Sequence, residues 1–289
     1  MNKRTLAELL LVIATFIWGA TFVVVKGALN DVTPLAFIAT RFTLAGGLLW
    51  LVLVRGGIAR KALLPGLVLG IFLFSGFVFQ TWGLLYTTPS KSAFITGFSV
   101  VLVPLIVSLY GIPVSRASAV GALLGLAGLY FLVVPSGLAG VNRGDVLTVA
   151  GATSFAIHIV LVGQYAKRHS FVNLVPIQVV AVAVLALLAL PLEPYRMPHW
   201  TMRLAVALLI TAVLSTGFAF SVQNWAQRYT PATHTALIFA LEPVFAALTS
   251  RVVLGEHFGG KAALGSVLVL GGMVVSEVWG SAQPTPVEG

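Results

Sequence analysis

The chain contains no cysteine and few charged residues. Without cysteine it can form neither disulfide bonds nor thiolate metal sites. Only 9% of its 289 residues are Asp, Glu, Lys or Arg, whereas soluble domains have about 25%. Hydrophobic residues make up 58% of the chain. This composition excludes an ordinary soluble domain and predicts an all-α integral membrane protein with several spans.

Acidic residues are scarce, with 8 Asp and Glu against 17 Lys and Arg. In a soluble protein this excess of positive charge would indicate a nucleic-acid partner. Here the basic residues separate apolar runs and form no single patch. We therefore expect them to anchor loops at the membrane lipid, and we expect no nucleic acid as a partner.

Motifs of enzymes and metalloproteins are also missing. The five histidines show no HExxH spacing, no paired acidic motif lies at a membrane surface, and no glycine-rich phosphate loop follows a strand signal. The sequence therefore predicts no catalytic site, no metal site and no cofactor.

What the chain does contain is ten apolar runs, each about 20 residues long, which is enough for a helix to cross a bilayer. The predicted spans are residues 6–26, 35–54, 62–84, 91–110, 117–134, 145–164, 173–192, 203–226, 232–253 and 261–279. The connections are short, so we expect no extramembrane domain. Residues 281–289 are predicted to form a disordered tail.

The distribution of Lys and Arg in the short loops favours cytoplasmic positions for both termini. With the N-terminus inside, nine basic residues lie on the inner side and seven on the outer side, and the inner ones are more clustered. The expected location is the inner (plasma) membrane of a bacterium.

The sequence also repeats itself at a nearly constant offset. GFVF at 76–79 matches GFAF at 217–220, which is an offset of 141. GALLGLAG at 121–128 matches GSVLVLGG at 265–272, which is an offset of 144. Ordered matches at one spacing indicate a duplicated unit.

The predicted repeats are residues 1–138 and 139–280. Each contains five predicted spans, and an odd number of spans makes the second copy enter the membrane from the opposite side. Inverted repeats of this kind place a binding site near the bilayer midplane and support alternating access. We therefore expect ten helices in two inverted five-helix repeats around a central cavity.

Three segments resemble a known family. FIWGATFVVVKGAL in the first span, YTTPSKSAFITGFSVVLVPL around the fourth, and ALIFALEPVFAALTSRVVLGEHFGGKAALGSVLVLGG over the last two are similar to EamA-type members of the drug/metabolite transporter superfamily. The resemblance covers essentially the whole chain. It implies a ten-helix, two-repeat exporter with a central cavity, and similar members include exporters of amino acids, aromatic ones among them.

The two halves differ in the position of a proline. Pro104 follows Tyr86 by 18 residues, whereas Pro243 follows Tyr229 by 14. Both prolines are predicted to bend helices at the cavity and to let the helix halves move separately during gating. Because their positions differ, the halves are not expected to be chemically equivalent.

Glu242 is the only acidic residue deep in a predicted span. A charge at this depth costs about 2.5 to 3.5 kcal/mol on insertion scales, so it normally faces a partner or water. One interpretation is a site for a proton or a substrate amine. The other is structural: Pro243 disturbs the helix, and the carboxyl group of Glu242 bonds nearby backbone at the cavity wall.

Arg41 lies about seven residues into the second span. It either snorkels to the outer interface or pairs with Asp31, or it faces the cavity as an anion anchor. No other basic residue is predicted at depth. Carriers of sugar phosphates or nucleotide sugars need several such residues, so the sequence argues against these substrates.

Aromatic and neutral polar side chains within the spans are the remaining cavity candidates. Trp18 shares a helix face with Thr15 and Phe22, and His158 shares one with Ser154. Interhelical hydrogen bonding is the alternative role for each. Together with Glu242, the candidates are Trp18, Thr21, Gln80, Trp82, Thr96, Ser99, His158, Tyr165 and Asn224.

These features favour a secondary transporter that exports small neutral or zwitterionic metabolites by alternating access. Amino acids with aromatic or hydrophobic side chains are the preferred substrates, because the cavity is predicted to have few fixed charges and several rings. The alternatives are a broad exporter of hydrophobic drugs or cations and, from another class, a membrane-embedded enzyme or lipid-handling scaffold. The sequence makes no prediction of oligomeric state or energy coupling.

Overall fold

The computed structural model describes residues 2–111, 115–133, 141–194, 196–255 and 259–280. Throughout these ranges the chain is helical apart from short connections, and the described residues form no strand. The prediction of an all-α fold is therefore confirmed. The predicted repeat boundary at 138 and the predicted tail at 281–289 lie outside the described residues.

The described residues form thirteen α-helices. They are α1 (Lys3–Ala28), α2 (Pro34–Leu53), α3 (Leu63–Tyr86), α4 (Pro89–Thr96), α5 (Ser99–Leu109), α6 (Arg116–Val133), α7 (Arg143–Tyr165), α8 (Phe171–Ala189), α9 (Met202–Ile210), α10 (Ala219–Ala226), α11 (Ala232–Phe239), α12 (Glu242–Leu254) and α13 (Gly260–Gly280). A π-helical segment, Thr211–Phe218, joins α9 to α10, and 3-10 turns cover Arg60–Ala62 and Leu190–Leu192.

Eight stretches of the described chain are long and apolar enough to cross a membrane. They are Lys3–Ala28, Pro34–Leu53, Arg60–Tyr86, Pro89–Leu109, Arg143–Tyr165, Phe171–Leu192, Met202–Ala226 and Ala232–Leu254. The predicted spans at 117–134 and 261–279 correspond to α6 and α13, whose apolar stretches are the shorter Arg116–Gly128 and Ala263–Gly272.

Helix starts follow signals that stand in the sequence. The side chains of Asn2 and Asn142 accept hydrogen bonds from first-turn N–H groups of α1 and α7. Each of these asparagines caps the first helix of one predicted repeat. Pro34 and Pro89 occupy the first positions of α2 and α4, where a missing N–H group costs nothing.

The fourth and ninth spans are each interrupted by a short turn. α4 gives way to α5 at residues 97–98, and α11 gives way to α12 at residues 240–241. Pro243 lies in the first turn of α12, next to the interruption. Pro104 lies inside α5, several residues beyond its interruption, so it does not mark the place where the fourth span breaks.

The two broken spans lie against each other and run antiparallel, and so do α6 and α13. α4 packs on α12 while α5 packs on α11, which requires the two broken spans to cross in opposite directions. In α6 and α13, Gly272 lies against Gly121, and Gly128 lies against Gly265. A Cβ atom on Gly128 would come within 2.6 Å of the Gly265 carbonyl oxygen, so these glycines allow the close packing.

Close packing of α1 on α12 brings the ninth span next to the first. A Cβ atom on Gly19 would lie 2.6 Å from the backbone oxygen of Glu242 and 2.9 Å from the backbone nitrogen of Ala246. Only glycine permits this approach. It places the first residue of α12 beside the middle of α1, where the candidate site lies.

Candidate functional site

One central cavity collects residues from both halves of the chain. Helices α1 to α5 line it from the first half, and α7, the π-helical segment and α10 to α12 line it from the second. Eight of the eleven proposed binding residues lie on its wall. They are Trp18, Thr21, Arg41, Gln80, Thr96, Ser99, His158 and Glu242.

The remaining three candidates do not line this cavity. The Trp82 indole N–H donates to a carboxylate oxygen of Glu193, whose other oxygen accepts the Leu35 N–H at 3.0 Å, so Trp82 joins α3 to the start of α2. Tyr165 packs in an apolar cluster of α3, α7 and α8. Asn224 donates to the Phe220 carbonyl of its own helix at 2.9 Å.

Arg41 is buried, with 3% of its surface exposed, and faces the cavity. Its Nε donates to Thr216 Oγ1 at 2.8 Å, and its Nη2 donates to Ser215 Oγ at 3.0 Å. The guanidinium lies 4.6 Å from the ring centre of Phe77 and 5.2 Å from that of Phe42. The interfacial interpretation of Arg41 is therefore wrong.

Asp31 has a different partner from the one considered in the sequence. Arg203 Nη2 lies 2.8 Å from Asp31 Oδ1, Arg203 Nε donates to Oδ2 at 3.0 Å, and the Thr201 hydroxyl donates to Oδ2 at 2.7 Å. The hydrogen bonds from Arg203 and then Thr201 lower the pKa of this carboxyl below its ordinary value. Asp31 is thus held at the end of the bundle, away from Arg41.

Glu242 is the first residue of α12 and is partly exposed on the cavity wall. Within the described ranges its carboxylate makes no ion pair and no hydrogen bond, and the same part of the chain offers no carboxylate within ion-pair distance of Arg41. The cavity therefore contains one carboxyl group and one guanidinium group that do not pair with each other.

Neutral polar groups are held in fixed orientations around these charges. Gln80 donates to Thr96 Oγ1 at 3.0 Å, and the Thr96 hydroxyl donates to the Ser92 carbonyl at 3.0 Å. His158 Nε2 lies 2.8 Å from Gln178 Oε1. The bonds of Gln80 and His158 connect neighbouring helices and fix the orientation of side chains that line the cavity.

Aromatic rings form the apolar part of the wall. Trp18 packs at 5.0 Å from Phe239 and 5.2 Å from Phe220 between ring centres. Phe77 packs at 5.3 Å from Phe155 and 6.0 Å from Phe220. Such tilted and edge-on packing leaves ring faces and edges that suit an apolar or aromatic ligand.

Sequence reasoning missed Ser215, Thr216 and Gln178. The first two stand in an apolar run without a distinguishing motif, and only the structure places their hydroxyls on Arg41. The duplication carried a signal for Gln178. It stands as far from the start of α8 as Arg41 stands from the start of α2, so the two residues occupy corresponding positions.

An ion pair and a His–Glu contact also stand at corresponding positions of the halves. Lys91 Nζ lies 2.7 Å from Asp145 Oδ2, which ties α4 to the start of α7. His234 Nε2 lies 3.2 Å from Glu8 Oε1, which ties α11 to the start of α1. Lys91 and His234 are each the third residue of their helix. The broken span of each half is thus tied to the first helix of the other half.

In the residues that the structure describes, no group of three or more His, Asp and Glu side chains has the arrangement of a metal site. The described site is therefore built from hydrogen-bonding groups, two charges and aromatic rings.

The profile of the EamA-like transporter family matches the chain twice, over residues 5–134 and 142–277. An uncharacterized transporter of Archaeoglobus fulgidus is 36% identical over 276 residues, covering 94% of this chain and 86% of the relative. The uncharacterized transporter YoaV of Bacillus subtilis is 22% identical and covers 91% of this chain and 93% of the relative.

A solved crystal structure has the same fold, with a TM-score of 0.77 and 22% sequence identity. It covers 97% of this chain, and this chain spans 100% of it. The family match, the curated relatives and the membrane-spanning helices agree: this chain belongs to the EamA-like transporter family and is an integral membrane protein of the transporter class.

Proposed function

We propose that the protein is a secondary transporter that exports small zwitterionic metabolites, with aromatic and hydrophobic amino acids as its preferred substrates. The observation that carries this proposal is the presence of the Glu242 carboxyl group and the Arg41 guanidinium group in one cavity. Neither is neutralised by a described residue, and they do not pair with each other.

Charges in such a place need a ligand of matching charge. A buried charge without a partner is costly, and the cost is lowered when a ligand supplies the opposite charge. An amino acid carries an ammonium group, suited to Glu242, and a carboxylate, suited to Arg41. The rings of Trp18, Phe77 and Phe220 provide an apolar surface for its side chain.

The same charges argue against the two alternative functions. A lipophilic cation would be attracted by Glu242 but repelled by the guanidinium of Arg41, since both line the same cavity. A phosphorylated ligand would meet a single guanidinium, where several basic groups are normally needed. For a membrane-embedded enzyme, the cavity wall offers no nucleophile hydrogen-bonded to a base among the described residues.

Alternating access would come from two inverted repeats, residues 1–138 and 139–280. In support, α4 and α11 are each 8 residues long, and each ends at the short turn that interrupts its span. α4 packs against α12, and α11 packs against α5, so each broken span meets its counterpart in the other half. We propose that both termini lie in the cytoplasm of a bacterial cell and that residues around Pro104 and Pro243 flex during the exchange.

A transport panel in proteoliposomes tests the proposal. Purified protein should mediate saturable flux of labelled tryptophan or phenylalanine, and unlabelled aromatic and hydrophobic amino acids should compete. A lipophilic cation should compete weakly, and a sugar phosphate should not compete. Repeating the flux with and without an imposed pH gradient separates coupled from uncoupled transport.

The control is the double variant Glu242→Gln with Arg41→Gln, which removes the ionisable groups of both side chains and leaves neutral polar groups in their place. It should lose saturable amino-acid flux while it elutes as the wild type does on size-exclusion chromatography. Flux of the lipophilic cation alone would refute the proposal in favour of a drug exporter. Absence of any flux from the wild type would refute a transporter of these classes.

A further inference from the structure

We propose that Ser215 and Thr216, presented by the π-helical segment, hold Arg41 as a carboxylate-binding subsite in the central cavity. This inference rests on the proposed function and deepens it, because it assigns one wall of the cavity to one group of the amino acid.

The π-helical segment brings two consecutive hydroxyl groups to one guanidinium. Arg41 Nε donates to Thr216 Oγ1 at 2.8 Å and Arg41 Nη2 donates to Ser215 Oγ at 3.0 Å. In an α-helix, adjacent residues point in clearly different directions. A π-helix bonds residue i to i+5 and spreads one turn over more residues, so neighbours point in more similar directions. Both hydroxyls of this π-helical segment lie within hydrogen-bond distance of Arg41.

The segment is also held from the side of α1. Trp18 Nε1 donates to the Ser215 carbonyl at 2.8 Å, and the Thr21 hydroxyl lies 3.5 Å from Ser215 Oγ. Both α1 and α2 pack against the segment. The position of the guanidinium is thus determined by α2, which carries it, and by a segment that α1 holds in place.

These contacts satisfy donors of Arg41 without cancelling its charge. A hydroxyl group accepts a hydrogen bond but brings no negative charge. Across the described parts of the chain, Nη1 of Arg41 makes no hydrogen bond, and two of the five N–H groups are accounted for by the hydroxyls. The remaining donors form the planar fork that matches a carboxylate.

Burial makes this arrangement selective for an anion. Arg41 is 3% exposed, and the rings of Phe77 and Phe42 flank its guanidinium. A charge so placed is poorly hydrated and gains most from an ionised partner. A carboxylate bound here would leave the ammonium group of the same molecule to Glu242 across the cavity.

Removal of one hydroxyl tests the subsite through transport kinetics. Thr216→Val keeps the shape of the side chain and removes the acceptor, so the KM for tryptophan should rise about tenfold, the change expected for one lost hydrogen bond to a charged group. The maximal rate should change much less. Thr216→Ser keeps the hydroxyl group and should restore the wild-type KM.

A matched control is available in the same segment. Thr211 is also a buried threonine, but its hydroxyl bonds only the backbone oxygens of Ala207, at 2.7 Å, and Leu208, at 3.4 Å. Thr211→Val should therefore leave the KM for tryptophan within about twofold of the wild type. An equal rise in KM for both valine variants would overturn the subsite and leave the hydroxyls a role in helix packing.

Ligand binding provides a measurement that does not depend on transport. Indole-3-propionate has the carboxylate without the ammonium group, and tryptamine has the ammonium group without the carboxylate. Indole-3-propionate should raise the melting temperature of the purified wild-type protein. The Thr216→Val variant should require about tenfold more indole-3-propionate for the same rise in melting temperature. Tryptamine should act equally on both proteins.

The outcomes separate this inference from the proposed function. Stabilisation by indole-3-propionate that depends on Thr216, without amino-acid flux in the wild type, supports the subsite and refutes the exporter. Amino-acid flux with a KM that is unchanged in Thr216→Val refutes the subsite and leaves the exporter. If Thr216→Val does not fold, Ser215→Ala is measured in its place, with the same expected loss of carboxylate binding.

Discussion

Replacement of two adjacent glycines by alanine should have opposite effects on stability. Gly271 and Gly272 are neighbours in α13, and a Cβ atom on Gly271 would have no heavy atom of the described residues within 4 Å. A Cβ atom on Gly272 would overlap the backbone oxygen of Gly121 and come within 3.0 Å of the Gly125 nitrogen. The same substitution is therefore harmless at one position and obstructed at the next.

The expected magnitudes follow from helix preference and from packing. Alanine in a helix is favoured over glycine by roughly 0.5–1 kcal/mol, so Gly271→Ala should stabilise the protein slightly. At Gly272 the obstructing atoms belong to the backbone of α6, which cannot rotate away. Overpacking of this kind costs about 1–3 kcal/mol, so Gly272→Ala should destabilise the protein despite the gain in helix preference.

The assay is thermal unfolding of purified protein in detergent, followed by the loss of helical circular dichroism. At roughly 2–4 °C per kcal/mol, Gly272→Ala should lower the melting temperature by several degrees, and Gly271→Ala should raise it or leave it unchanged.

α6 supplies a second matched pair for this prediction. A Cβ atom on Gly128 would lie 2.6 Å from the Gly265 oxygen, whereas one on Gly125 would first meet Val101 at 3.8 Å. Gly128→Ala should therefore resemble Gly272→Ala, and Gly125→Ala should be tolerated. Equal melting temperatures for the tolerated and obstructed variants would refute the antiparallel packing of α6 on α13.

Three further predictions concern the site, the bundle end and the orientation. Glu242→Gln should raise the KM for tryptophan about tenfold or more through the lost charge-assisted hydrogen bond, while indole-3-propionate binding stays unchanged; an unaltered KM would remove the ammonium role. The folded-state pKa of Asp31 is lowered, so its stabilising effect is present at neutral pH and is lost as the pH falls below about 4. The melting temperature of Asp31→Asn should therefore fall less than that of the wild type between about pH 5 and pH 3. An equal fall in both proteins would contradict this. Because the chain has no cysteine, the introduced cysteine of Lys61→Cys or of Trp200→Cys is the only thiol in its variant. An impermeant maleimide added outside the cell should label only the Trp200→Cys variant. Labelling of both variants from the same side would contradict the inverted repeats.

Much of the helical fold was predictable because it depends on composition and length. Apolar runs between charges and prolines predicted spans whose ends lie within a few residues of the observed helices; the prediction for α2, residues 35–54, differs by one residue at each end from Pro34–Leu53. The break of the fourth span was not predictable from Pro104, since the chain turns earlier, at residues 97–98. A proline in an apolar run marks one missing donor, while the place of a break depends on packing against another helix.

The site was predictable in residue type and less so in orientation. Sequence reasoning included Glu242 and Arg41 among the candidates, but it left both an interfacial and a cavity position open for Arg41. The choice depends on Ser215 and Thr216, which are 174 and 175 residues away in the chain. Trp82 was a cavity candidate only because of its depth in the predicted span. Its hydrogen bond to Glu193 joins segments that are distant in the chain, and no local pattern reveals it.

Under the proposed function, the chemical difference between the halves would allow a duplicated bundle to hold a single zwitterion. Arg41 corresponds to Gln178 by its place in α2 and α8, and Glu242 corresponds to Ser99, since these two are the first residues of α12 and α5. If both halves had kept the charged residues, the cavity would contain two guanidinium groups and two carboxylates, which would neutralise one another at close range and leave little charge for a ligand. With neutral residues at the corresponding positions, one cation and one anion remain, and together they match one ammonium group and one carboxylate. Under the proposed function, this chemical asymmetry fits a cavity that binds one substrate molecule in one orientation, and the similar helix order of the halves would support an exchange between inward and outward states.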